Sequence, residues 1–187
     1  LTGWFTWYAY HHLAWPFVVI GFFFHGMFLG FCTVGAAGHE LSHRTPFKSR
    51  YLNRVFTWVF AFLGWTNQVW FRTSHTKHHQ FTLHRPWDLE VVLPRRAPTF
   101  WGWVRAFTVD PVTLYNVLKD HVRKALGKVD GEWANQIFPP EKRDERRRLA
   151  NASRLLLLGH LALAVFFIAI GEWILIPLFA LPPFYGG

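Results

Sequence analysis

The sequence predicts an all-α integral membrane protein, with transmembrane helices and a cytoplasmic histidine-rich cap. Three observations predict it. Apolar residues make up 51% of the 187, with 20 Phe and 11 Trp, and they fall in long runs. All 20 Lys and Arg lie between Arg44 and Arg154, leaving both flanks without a basic side chain. Five histidines sit in two tight clusters, His39-Glu40-Leu41-Ser42-His43 and His75-Thr76-Lys77-His78-His79, each beside an apolar stretch. Nine of the 11 acids share the central block, whose net charge is therefore +11 (20 minus 9). A pI near 10.2 often marks a nucleic-acid binder. Here the charge-free flanks are hydrophobic, and the positive-inside rule explains the asymmetry without nucleic acid. The basic block is expected in the cytoplasm, drawn to anionic headgroups.

The first 15 residues carry Trp4, Trp7, Tyr8, Tyr10 and Trp15, the residue types enriched at a membrane–water boundary. His11 and His12 belong to that boundary. Pro16 to Ala37 is an apolar run of 22 residues, about 33 Å as a helix and enough to cross the hydrocarbon. His25 inside it is expected to be neutral and bonded to a neighbouring helix. Cys32, the one cysteine, excludes a disulfide framework and reads as a packing residue. The N-terminus has no basic region of the signal-peptide kind.

The next apolar piece, about 51–71, is flanked by Arg50, Arg54 and Arg72 and contains Asn67 and Gln68. A single crossing there would put the two histidine clusters on opposite faces, so it is expected to be an interfacial or shallowly dipping helix with both ends cytoplasmic. A cytoplasmic cap of about 72–150 follows, broken by Pro86, Pro94, Pro98 and Pro111. The mixed charges of 141–148 read as a solvated helix. A second span is expected at about 151–170, with Arg154 snorkelling at its start. Gly171-Glu172 reads as a turn, and a third span is expected from Trp173 onward, kinked near Pro177 and Pro183. One long tilted span is the alternative. The chain starts on Leu1 and stops at Gly187 with no closing signal, as expected of a single, incomplete domain cut from a longer protein.

Imidazole is the commonest protein metal ligand. Residues four apart on a helix share a face, so His39 and His43 can grip one ion. His75, His78 and His79 offer an i, i+3, i+4 set. His39-Glu40-x-x-His43 also fits the zinc-protease motif, with Glu40 as general base. A zinc site needs one further ligand, and three more clustered histidines favour a two-metal site.

These motifs resemble the membrane fatty acid desaturase and hydroxylase superfamily. The matching segments are the HxxxH box Gly38–His43, the HxxHH box in Ser74–Thr82, and Trp87-Asp88-Leu89-Glu90-Val91-Val92-Leu93-Pro94. The resemblance implies two iron ions in a non-haem di-iron centre, held by histidines from three boxes. The present chain contains the first two, so His39, His43, His75, His78 and His79 are the metal ligands expected here. Glu40, Asp88 and Glu90 are candidates to hold those imidazoles from behind as hydrogen-bond acceptors, and His84 is a candidate for such a supporting contact or for a phosphate contact. For Asp88 and Glu90 the alternative is a salt bridge to Arg85 or Arg95. It further implies O2-dependent desaturation of a lipid acyl chain, fed by a ferredoxin- or cytochrome-type electron donor. A hydroxylase or ketolase acting on alkane, sterol or carotenoid is the nearest rival; a non-catalytic membrane subunit is the next. Trp65, Trp70 and Phe71 are candidates for lining an acyl channel, with ordinary packing as the alternative. Lacking the third box, the chain alone is expected to be inactive.

Overall fold

The computed structural model describes residues 1–91 and 99–185. Every named element among them is helical. Helices α1 (Thr2–His12) and α2 (Trp15–Gly30) lead through a π-helical turn (Phe31–Gly35) into α3 (Ala36–His43). Then come α4 (Arg50–Leu63), α5 (Gln68–Phe81), α6 (Phe100–Phe107), α7 (Pro111–Ala125) and α8 (Glu132–Ile137). The chain finishes with α9 (Arg143–Ala169), α10 (Leu175–Ala180) and a 3₁₀ turn (Pro182–Phe184).

Among the described residues, two helices are long and apolar enough to cross a membrane: Trp15–His43, 29 residues, and α9, 27 residues. At 1.5 Å per residue they reach about 43 and 40 Å, against a hydrocarbon core of about 30 Å. Each therefore extends past its apolar part. The first carries His39 and His43 on that extension instead of ending at Ala37. In the second, the charged run from Arg143 to Arg148 and the apolar run to Ala169 form one continuous helix, not two elements.

Within residues 1–15, α1 folds back along α2. A side chain on Gly21 would meet Thr6 Oγ1 at 2.6 Å, and only a missing Cβ permits this approach. His25 is bonded as anticipated, to Thr2 Oγ1 and to the Leu178 carbonyl, both at 2.9 Å. Beyond α9, Gly171 turns with φ of 77°, and Glu172 accepts from Trp7 Nε1 at 2.8 Å and lies 3.1 Å from His11 Nε2.

The expected single helix over 51–71 is a helical hairpin. Gly64 caps α4, Trp65 adopts a left-handed φ of 51°, and Asn67 starts α5. The Asn67 side chain accepts from Val69 and Trp70 N–H at 3.1 Å and donates to the Leu149 carbonyl at 2.9 Å and Ser153 Oγ at 2.8 Å. One residue thus caps α5 and ties it to α9. Each hairpin arm has 14 residues, about 21 Å, too short to cross. The chain reverses at the Gly64–Asn67 turn, which brings α5 back beside α3. At the other end, buried Asn53 donates to the Arg44 and Phe47 carbonyls at 3.1 and 2.6 Å, closing the α3–α4 loop.

A small core of Val129, Ala134, Ile137, Phe138 and Leu149 supports α5 through Val69, Trp70 and Trp133. Buried Lys124 lies 3.9 Å over the Trp70 ring and pairs with Asp120 at 2.6 Å. Burial lowers its pKa. Arg154 does not merely snorkel, because its Nε donates to the Ala125 carbonyl at 2.9 Å and completes the end of α7. The segment from Trp173, expected to start a third span, is short and bent among the described residues. Pro177 sits in the first turn of the six-residue α10, and the bend comes at Pro182, which opens the 3₁₀ turn. Expectations at Val92, Leu93, Pro94, Arg95, Pro98, Gly186 and Gly187 lie outside the described residues.

Candidate metal centre

The α4–α5 hairpin lays the second histidine cluster against the first. Ring centroids are 4.7 Å apart for His39–His75, 4.9 Å for His43–His79 and 5.1 Å for His43–His75. One nitrogen from each of His39, His43, His75 and His79 lies within 4.8 Å of the other three. His75 is buried, His39 half-buried, and His43 and His79 exposed, so the group opens on one side.

His75 Nε2 and His79 Nε2 are 3.0 Å apart. A metal–imidazole bond is about 2.1 Å, so two nitrogens bound at right angles sit about 3.0 Å apart. Across one ion they sit about 4.2 Å apart by the same bond length, slightly less than the quartet's 4.8 Å. The four imidazoles therefore fit one first-row metal ion after small closing movements. His78 stands aside, its ring 5.8 Å from both His75 and His79.

Two of the rings are oriented by carboxylates. His75 Nδ1 lies 2.8 Å from Glu90 Oε1, and His78 Nδ1 lies 2.7 Å from Asp88 Oδ2. Donation from Nδ1 leaves Nε2 as the ligand atom and makes it more basic, the usual support for metal-bound histidine. Glu90 also accepts from Ser74 Oγ, which in turn accepts from Trp133 Nε1 at 2.9 Å. Asp88 is buried, which alone would raise its pKa. The backbone N–H groups of Leu83 and Glu90 and the His78 ring outweigh that and hold it below the usual carboxylate range. For His79, desolvation and the neighbouring His75, His43, His78 and His39 rings lower the pKa, favouring the neutral, ligating form.

The remaining candidates are less engaged. Glu40 contacts its neighbour His39 Nδ1 at 3.0 Å on an exposed surface. His84 is exposed, with Nδ1 2.7 Å from the Phe81 carbonyl at the end of α5, apart from the quartet. Trp65 and Trp70 are packing residues, stacked on His160 and Phe138 respectively. Phe71 stacks on His75 with centroids 5.1 Å apart and lines a cavity of about 780 Å³. Ser74 and Trp133 had no assigned role in the sequence. Ser74 lies one residue before a box histidine, whereas Trp133 reaches the site only through tertiary packing.

A family model described as fatty acid desaturase matches residues 2–187. No curated protein and no solved structure matches the chain.

Proposed function

The chain belongs to the fatty acid desaturase family, and on that premise we propose that it carries part of the di-iron site of an O2-dependent acyl-lipid desaturase. The observation that carries this reading is the all-imidazole quartet, with Glu90 behind His75 and Asp88 behind the adjacent His78. Iron bound there supplies the oxidising power, drawn from O2, that an unactivated acyl C–H bond demands. His39, His43, His75 and His79 hold one ion, and His78 is the ligand left for a second.

The protein's own part is positional. His75 and His78 keep their protons on Nδ1, given to Glu90 and Asp88, so that Nε2 stays free to ligate. Phe71 closes one side of His75 against the neighbouring cavity. The two long apolar helices fit a membrane setting. The positive-inside rule puts the basic cap and both histidine boxes on the cytoplasmic face. There the basic surface suits an acidic ferredoxin- or cytochrome-type donor.

Expression of the complete protein in a host, with fatty acids profiled by mass spectrometry, tests the reading. A new cis double bond that disappears with His78→Ala, together with bound iron, supports it. A hydroxylated product moves the assignment to the hydroxylase branch. Bound zinc favours the protease motif, and absence of both iron and product leaves a non-catalytic subunit.

A further inference from the structure

The helix that carries the first histidine box is not regular, because the π-helical turn Phe31–Gly35 lies just upstream of His39. A π turn bonds its N–H groups five residues back, against four in an α-helix, and so takes in one extra residue. One residue is worth about 100° of rotation in an α-helix. A regular α-helix with the same number of residues would therefore swing His39 and His43 round by about 100°. In the structure they face α5, with His39–His75 and His43–His79 ring centroids 4.7 and 4.9 Å apart.

Thr33 occupies the middle of this turn. It is 3% exposed, and its Oγ1 donates to the Leu29 carbonyl at 2.6 Å. Such a bond from Thr to the carbonyl four residues back supplies a donor where the backbone ladder is disturbed, and it favours a bend. Two glycines close on the same residue. A Cβ on Gly38, the residue before His39, would lie 2.0 Å from the Thr33 carbonyl oxygen. A Cβ on Gly64, at the turn of the α4–α5 hairpin, would lie 3.0 Å from Thr33 Cβ. Thr33 thus meets both the segment entering the first box and the hairpin that carries the second.

We propose that the π turn, pinned by Thr33, is the positioning device of the metal centre. Its extra residue sets the direction of His39 and His43, and the close approaches of Gly38 and Gly64 lock that direction to the hairpin. Thr33 is a positioning residue and acts through the backbone of α3. The proposal rests on the imidazole quartet as a metal centre, not on the acyl chemistry assigned to it.

Changing the residue count of the turn in the purified complete protein separates direction from ordinary packing. Two readouts serve. Co(II) titration gives the affinity, and the d–d spectrum distinguishes a four-coordinate ion from one with water in place of imidazole. Without metal, His39→Cys/His75→Cys in a Cys32→Ser background is bridged by a short thiol-reactive linker and read by peptide mass spectrometry. Insertion of one Ala between Gly30 and Phe31 rotates the box, and is expected to weaken Co(II) by at least about tenfold and to abolish bridging. Deletion of Thr33 turns the π turn into an α turn without changing the direction of α3, so the four-coordinate spectrum and the bridging are expected to persist. Thr33→Val, which lacks the donor, is expected to weaken Co(II) by about three- to tenfold, and Thr33→Ser to match the parent. Loss on deletion as large as on insertion overturns the proposal, since a packing role predicts that result. So does an insertion that leaves both readouts intact, or a Thr33→Val variant equal to Thr33→Ser. Deletion of Cys32, in the same turn, repeats the test if the Thr33 deletion does not fold. A protein without iron or product, in which Co(II) binding and bridging still follow the turn, removes the desaturase reading and leaves the positioning role intact.

Discussion

Replacing Glu90 by Gln tests whether the carboxylates behind the imidazoles support metal binding. Glu90 contacts His75 Nδ1 at 2.8 Å and also accepts from Ser74. Gln keeps the shape and an acceptor oxygen but removes the charge that strengthens the His75 bond. It also presents an NH₂ group, which can stabilise the wrong His75 tautomer and place the proton on the ligating Nε2. Loss of such a partner typically costs about 10–100-fold in metal affinity, equivalent to about 1.4–2.7 kcal/mol. Competition with a chromogenic chelator, followed by elemental analysis, measures it directly. Trp133→Phe, one link further out through Ser74, should cost less. If Glu90→Gln binds metal as tightly as the parent while His75→Ala loses it, Glu90 is a bystander and the orientation argument fails.

Asn67→Ala removes the α5 cap, worth about 1 kcal/mol, together with the bonds to the Leu149 carbonyl and Ser153 Oγ of α9, each worth about 0.5–1.5 kcal/mol net. Thermal unfolding in detergent should drop accordingly; an unchanged midpoint would show that α5 is held by packing alone. Acidification should act in two stages. The His79 pKa is lowered, so its ring stays neutral below the ordinary value of about 6.5, and metal loading should hold through that pH before falling. In the metal-free protein the same shift means that the unfolded chain takes up the proton first, so stability declines as pH falls below about 6.5. Asp88 is depressed, so its contribution is fully present above about pH 4 and is lost as pH falls through its lower folded value. Metal loss already at pH 7.5, or none at pH 4, would contradict the assignment.

The histidine geometry was largely legible because its signal is local. Spacings of three and four residues on a helix fix relative direction before any tertiary contact forms. Asp88 and Glu90 stood out as acids close behind the second box. Harder to see was the hairpin that joins the boxes. Its hydrophobicity runs unbroken from Val55 past Leu63, and Trp65 takes a left-handed φ that non-glycine residues seldom adopt. The useful clue was Asn67, noted as a polar residue in an apolar run when its role is to cap a helix. The backward fold of α1 had the same cause, since composition shows an aromatic belt but not that Gly21 receives Thr6. Continuity of α9 across its charged start was hidden by the sharp change in polarity at Asn151, which a helix backbone does not feel.

Asp88 and Glu90 are only two residues apart, and the Glu90 N–H itself donates to Asp88 at 3.0 Å. A single short stretch of backbone therefore sets the aim of both His75 and His78. Displacing it would misalign the two rings together, so damage to this loop should empty the site abruptly instead of weakening one ligand at a time.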